Sequence, residues 1–205
     1  DQVLLYKLIC RQVAAKMDMT ACFLPKPVTG VNGSGMHTNL SVSRKGKNLF
    51  FDPKGRDKLA KLGWSFIDRI LSSGQDTCLI LNPSVNAYRR LDPHFEAPNQ
   101  IRASPVDRGS MIRIPLGNEK SARIEVRSTS PDANPYLAIY AMLRTGFEGP
   151  IEKDNGDKKR DRTKLLPDNI YDSIRLFKGS RYAVELLGDV VHKRYAALKL
   201  ASAAR

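Results

Sequence analysis

A single tryptophan, three cysteines and three histidines in 205 residues leave little material for several common functional classes. The cysteines (Cys10, Cys22, Cys78) are odd in number, far apart and without a CxxC pair. Neither a disulfide framework nor a zinc site fits them, and a reducing, cytoplasmic setting is expected. No apolar run approaches the roughly 20 residues that a membrane-spanning helix needs. Asp1, Gln2 and Lys7 interrupt the apolar residues from the start, so neither a bilayer span nor a cleavable signal is expected. Acidic residues are also in deficit: 21 Asp plus Glu face 34 Lys plus Arg, a formal charge of +13. Such a surplus raises nucleic acid as a partner, but phosphate-bearing small molecules and acidic subunits need cations too. The chain opens on Asp1 with an amphipathic pattern already running, which reads as a piece of something longer whose remainder balances part of that charge. Hydrophobic residues at 41% and charged residues at 27% exclude wholesale disorder and fit one to two domains.

Periodicity divides the chain. Leu4, Leu8, Cys10 or Val13, and Met17 recur at helical spacing, so Asp1–Met17 is expected to be a helix. Thr20–Leu24 is a strand candidate closed by Pro25-Lys26-Pro27. His37, Asn39, Ser41 and Ser43 alternate with Thr38, Leu40 and Val42, predicting a strand over His37–Arg44 with one polar face. A turn at Gly46 leads to Asn48–Phe51 and completes a hairpin. Asp57–Ser72 is a helix with Leu59, Leu62, Phe66 and Ile70 on one stripe, read as core packing. The Pro- and Asn-rich stretch Leu79–Gln100 reads as structured loop with short helical turns. Met111–Leu116 and Ala122–Ser128 are further strands, and Asn134–Phe147 is a helix opened by Pro135. Residues 149–164 change to mixed charge without apolar period and read as a solvated linker or surface excursion. Two amphipathic helices, Asp168–Phe177 and Tyr182–Leu200, end the chain.

The chemistry concentrates in Arg123-Ile124-Glu125-Val126-Arg127. On a strand Arg123, Glu125 and Arg127 share a face while Ile124 and Val126 pack on the other. Two arginines bracketing a glutamate also make an ordinary cross-strand ion pair. Between positions 89 and 127, however, lie seven arginines (Arg89, Arg90, Arg102, Arg108, Arg113, Arg123, Arg127) and Lys120. So much guanidinium, partly on strands, suits an enclosed pocket for phosphate or carboxylate oxygens. A nucleic-acid groove would interleave aromatics, whereas the residues between include Pro, Asn, Asp and Glu and few aromatics. His37, which follows the flexible Asn32-Gly33-Ser34-Gly35 loop, and Glu125 are the candidate ligands for Mg²⁺ or Mn²⁺; a hydrogen-bonded strand histidine is the plainer alternative for His37. His94 and His192 show no ligand spacing and read as structural. Glu96, on a loop pinned by Pro93 and Pro98, is placed to close over a site and meet a cation or take up a proton.

Six segments in this order resemble the glutamine synthetase family, specifically the carboxyl-terminal part of its catalytic domain. They are Lys26-Pro27 with Asn32-Gly33-Ser34-Gly35-Met36-His37, Asn82–Leu91, Phe95–Pro98, Arg108–Pro115, Ala122–Arg127 and Pro131–Leu137. The resemblance covers residues 1–150 most clearly. It assigns the whole chain, 1–205, to that catalytic-domain portion: a core over 1–148, the charged linker, and terminal helices over 165–205. It implies an ATP-dependent ligase that activates the side-chain carboxylate of glutamate as an acyl phosphate for attack by ammonia. His37 and Glu125 would bind the divalent ion at the nucleotide phosphates. Gly33, Arg90 and Arg127 would hold glutamate, and Arg108, Arg113 and Arg123 would steady the ATP phosphates and the transferred phosphoryl. Ser41 and Lys120 would line the nucleotide side. Glu96 would shield the intermediate and assist deprotonation of ammonium, making Glu96, Arg108 and Arg127 the catalytic set.

Two positions depart from the family pattern: Asn39 stands where many members carry a second histidine, and His94 where many have glycine. The upstream strands with the remaining metal-binding glutamates are not in this chain, so the 205-residue piece is expected to be inert by itself. Rival readings keep glutamate and ATP but use an organic amine, or make the protein a non-catalytic homologue with a binding role. The expected architecture is α+β: a curved, mainly antiparallel sheet whose polar face forms the pocket, backed by helices. The family implies a homo-oligomeric ring with sites between subunits. Neither nucleic acid nor membrane is an expected partner.

Overall fold

The computed structural model describes residues 1–151 and 164–204, and all structural statements concern these. The elements run α1 (Gln2–Lys16), β1 (Thr38–Leu40), β2 (Ser43–Arg44), β3 (Lys47–Asn48), α2 (Lys61–Ser72), α3 (Gly74–Leu81), α4 (Val85–Arg90), β4 (Gln100–Ser104), β5 (Ser110–Arg113), β6 (Ile124–Val126), α5 (Pro135–Glu148), α6 (Ile170–Gly179), α7 (Arg181–Leu187) and α8 (Asp189–Ala203). Four strands form one sheet in the order β1-β6-β5-β4. The β1–β6 and β5–β6 ladders are antiparallel and β4–β5 is parallel, so the sheet is mixed and the fold is α+β. Asn39 lies opposite Glu125, and Glu125 opposite Arg113. No helix among the described residues is long and apolar enough to cross a membrane.

Alternation decides which face of the sheet is dry. Ile112, Ile124 and Val126 share the dry face and are fully buried in a core with Phe66, Ile67, Ile70, Leu79, Met142 and Phe177 from the helices, and Met111, of the other parity, is buried as well. Burying each such side chain is worth about 1.5–3 kcal/mol. Gly74, at the head of α3, lets that helix approach the strands: a Cβ there would sit 3.3 Å from Met111 Sδ and 3.4 Å from Ile101 Cγ2. Asn134 caps α5, accepting from the Tyr136 and Leu137 amides ahead of Pro135 at N1. With its apolar side turned inward, the sheet leaves Glu125 and the arginines facing the loops.

Several expectations are corrected. Thr20–Leu24 is not a strand; Phe23 stacks edge-on with Tyr6 and lies under the cations of Lys7 and Arg11, so side chains hold it in place of a ladder. Of the strand expected over His37–Arg44, Thr38–Leu40 is β1 and pairs with β6, and the hairpin is the shorter β2–β3 with Lys45 and Gly46 both left-handed at its turn. Helix α2 starts at Lys61, because Asp57 (φ 52°) and Lys58 (φ 57°) are left-handed; Leu59 reaches the core from an extended bridge to Phe51. Leu79–Leu81 belong to α3, and β4 was absent from the expected strands. The final helix is two, α7 and α8, broken at Gly188 (φ 77°), a conformation glycine tolerates without strain. Of the expected charged linker, residues 152–163 lie outside the described set.

Candidate active site

The geometry is centred on Glu125. Its strand neighbours are core residues, which fixes the carboxylate at a position 7% exposed. Oε1 lies 3.0 Å from His37 Nδ1 and 3.7 Å from Arg127 Nε, and Oε2 accepts from Arg113 Nη1 at 3.0 Å. Cross-strand pairing makes this meeting: β1 carries His37 in beside β6, and β5 carries Arg113 in on the other edge. Arg123 donates from Nε to Asn39 Oδ1 at 2.9 Å and from Nη1 to the Ser121 carbonyl at 3.1 Å. Burial, then the cations of Arg127 and Arg90, pull the His37 pKa below its ordinary 6.5 against the opposing Glu125. The imidazole is therefore neutral near pH 7, the form that offers a lone pair to a metal.

A second guanidinium is buried more deeply. Arg90, 5% exposed at the end of α4, donates to the Ser128 carbonyl at 3.1 Å and the Arg127 carbonyl at 2.8 Å. No carboxylate pairs with it among the described residues, and desolvation together with nearby Arg127 lowers its pKa to about 10, with Asp132 opposing. A buried guanidinium that spends its donors on carbonyls keeps its charge uncompensated and draws an anion. The Asn32–Gly35 loop closes on it: a Cβ at Gly35 would lie 2.5 Å from Arg90 Nη2 and 2.8 Å from His37 Nε2. Gly33 is equally confined, 2.5 Å from the Pro25 carbonyl and 2.9 Å from Arg90 Cγ on the same construction. Glycine is required at both for backbone to reach these side chains.

Gly33, His37, Arg90, Glu96 and Arg127 line one pocket of about 200 Å³. Asn32, Gly35, Phe95, Ala97 and Pro98 line it too. Phe95 and Asn32 carry no reactive group and were missed; their place between sequence-legible neighbours was the available signal. Glu96 forms the outer rim, left-handed at φ 49°, with both carboxylate oxygens 3.0 Å from Arg108 Nη1. Arg127 in turn donates to the Arg108 carbonyl. Arg113 and Arg123 flank the Glu125 side of the sheet rather than the pocket. Ser41 and Lys120 are exposed, on the connection after β1 and in the turn before β6, and neither lines it. Arg89 is exposed and Arg102 pairs with Asp107, so these two leave the arginine cluster. His94 meets Asp92 Oδ1 at 2.6 Å at the surface, and His192 is buried against the Phe177 carbonyl at 2.8 Å.

A divalent cation is implied, and the donor set can be tested against it. Imidazole and carboxylate 3.0 Å apart suit Mn²⁺ or Mg²⁺ in chemistry, but hard divalent ions take about six ligands. No group of three or more His, Cys, Asp or Glu able to hold a metal exists among the described residues. His37 and Glu125 thus fit as part of a coordination sphere.

Comparison with known proteins supplies the frame for this geometry. The family model described as glutamine synthetase, catalytic domain, matches residues 1–205. The chain is 38% identical over 213 residues to a glutamine synthetase of Methanosarcina mazei, spanning 97% of this chain and 48% of that protein. It is 34% identical over 215 residues to one of Clostridium saccharobutylicum (98% and 48%) and 33% over 209 residues to one of Staphylococcus epidermidis (95% and 47%). The chain spans about half the length of these relatives. The match over the whole chain shows that it belongs to the glutamine synthetase catalytic-domain family.

Proposed function

We propose that the protein of which this chain is part joins ammonia to the side-chain carboxylate of glutamate, using ATP and an acyl-phosphate intermediate, to give glutamine. The observation that carries the reading is Arg90: a buried guanidinium without a carboxylate partner among the described residues, beside Arg127 in a small pocket. Gly33 and these arginines would receive the carboxylates of glutamate, as anions replace the missing partner. Arg108, Arg113 and Arg123 would neutralise charge that develops on the transferred phosphoryl, with Ser41 and Lys120 toward the nucleotide. A divalent ion held partly by His37 and Glu125 would supply Lewis-acid stabilisation of the phosphates.

Glu96 takes the proton-handling role. At the rim, its carboxylate would attract ammonium, accept a proton as the amine attacks the acyl carbon, and keep water from the acyl phosphate. Its ion pair with Arg108 is exposed, so exchange of that partner costs little. A rim carboxylate supports ammonium as the amine, and it would also attract an alkylammonium, which makes the amine the point to test. With two side-chain donors for a cation that takes about six, the 205-residue chain by itself would be inactive. Assembly with copies of itself into a ring belongs to the same reading; exposed Leu4, Leu5, Leu8 and Ile9 on α1 supply apolar surface for contacts.

The test is glutamine formation by the full-length protein from glutamate, ATP and either ammonium or methylamine. Ammonium-dependent glutamine with stoichiometric phosphate is expected, and no turnover from the 205-residue chain. Preference for the alkylamine would replace the substrate, and no ATP consumption with either amine would overturn the reading.

A further inference from the structure

Lys26 belongs to neither the metal pair nor the anion-binding wall, yet it is 9% exposed. Its backbone is clamped by one side chain: Asn86 Oδ1 accepts from the Lys26 amide at 2.7 Å, and Asn86 Nδ2 donates to the Lys26 carbonyl at 3.0 Å. Asn86 and Arg90 are one turn apart on α4 and share a face, so the helix that aims Arg90 at the pocket also pins Lys26. The Lys26 ammonium donates to the Val31 carbonyl, at the entry to the glycine loop. It also stands 3.6 Å above the centroid of the Phe95 ring, one residue before Glu96. No carboxylate forms an ion pair with it among the described residues, so loop carbonyl and ring face are its visible compensation. Asp92, which caps the turn bearing Phe95 by accepting from the His94 amide at 3.0 Å, is held below its ordinary range mainly by that bond and the His94 ring, with the Lys26 charge assisting.

An ammonium is suited to this position. It carries donors for a carbonyl and a charge for a ring face, which an apolar or carboxylate side chain does not combine. The loops it joins are the ones bearing Gly33 and Glu96. We propose that Lys26 is a positioning residue whose ammonium ties Phe95 of the rim loop to the Val31 carbonyl of the glycine loop, setting where Glu96 rests over the pocket. The proposal rests on the ligase reading for its chemical consequence and on geometry alone for its structural one. Loss of the tie would let the rim loop open and admit water to the acyl phosphate, giving back glutamate and inorganic phosphate without glutamine.

The experiment uses the full-length protein and the variants Lys26→Met, Lys26→Arg and Phe95→Leu. Hydrogen exchange at the amides of residues 94–97 and 32–35 is expected to rise about tenfold in Lys26→Met, with buried β6 amides unchanged, and to return near wild type in Lys26→Arg. Phe95→Leu removes the ring and keeps the cation, and should reproduce the effect at 94–97; it decides the matter if Lys26→Met fails to fold. Phosphate released per glutamine formed should exceed one in Lys26→Met and stay near one in Lys26→Arg. Unchanged exchange at 94–97, or slower turnover with the ratio still at one, would overturn the proposal. If wild type makes no glutamine, the ligase reading falls and the exchange result decides the role of Lys26.

Discussion

Glu125 and Glu96 each meet an arginine at 3.0 Å, and the resemblance of those two contacts is misleading. Glu125 stands on β6 between fully buried Ile124 and Val126, shares its oxygens among Arg113, Arg127 and His37, and has a side chain 10% exposed. Glu96 stands on a loop, in a left-handed conformation, paired with one arginine that is itself 70% exposed. The first carboxylate is part of a wall; moving it would strand the nearly buried Arg127 and take their partner from the partly exposed Arg113 and His37. The second is held by a solvent-screened pair and by backbone strain, and can change partner at small cost. A reaction that needs a fixed charge-binding surface and a movable proton acceptor needs one glutamate of each kind.

Substitution tests the contrast, and the largest expected effect is on the wall. Glu125→Ala should destabilise the protein by about 2 kcal/mol, read from chemical denaturation, because the nearly buried Arg127 loses its partner while the half-exposed Arg113 is screened by solvent; a loss under about 0.5 kcal/mol would erase the distinction between the two glutamates. Glu96→Ala should leave stability within about 0.5 kcal/mol while lowering glutamine formation by the full-length protein about 100-fold. Equal losses in both quantities would make Glu96 a structural residue. Gly35→Ala probes how rigid the wall is: its methyl must displace Arg90 or His37, and about 1–2 kcal/mol should be lost. Gly179→Ala, where open space surrounds the new atom, should stay within about 0.5 kcal/mol.

The smallest effect extends burial from carboxylates to thiols. Burial raises the Cys78 pKa from 9.0 to about 11, against weaker opposing hydrogen bonds from Ser173, Tyr88 and Asn82. A raised folded pKa means the stabilisation is complete below 9 and is lost as pH climbs through 11. Relative to Cys78→Ala, wild type should lose about 0.35 kcal/mol of its stability between pH 8 and pH 9, as the exposed thiol of the unfolded chain ionises first. Denaturation curves at pH 8 and pH 9 check it, and a gap between the two proteins that stays constant from pH 8 to pH 9 would place Cys78 in a wetter site.

What the sequence made legible follows the same division. Alternation in Arg123–Arg127 placed Glu125 with its arginines because a strand face is dictated by parity, and the core takes Ile124 and Val126 whichever neighbours arrive. The helices α1, α2 and α5 were legible from spacing within a few residues, since periodicity is local. Partner choice was not: β1 pairs with β6, more than eighty residues away, and the short β4 runs parallel to β5, facts that no local pattern encodes. Lys26 and Phe95 were illegible as a pair for the same reason, being neighbours through a ring face rather than through the chain. Ser41 and Lys120, placed at the nucleotide side by family resemblance, stand exposed on loops away from the pocket lining.

Anomalous scattering from crystals of the full-length protein grown with Mn²⁺ and a nucleotide tests the shared role of His37 and Glu125 most directly. A manganese peak bridging the imidazole of residue 37 and the carboxylate of residue 125 is the expected result. A bound nucleotide with its manganese elsewhere, and the 3.0 Å contact between those two side chains intact, would contradict it.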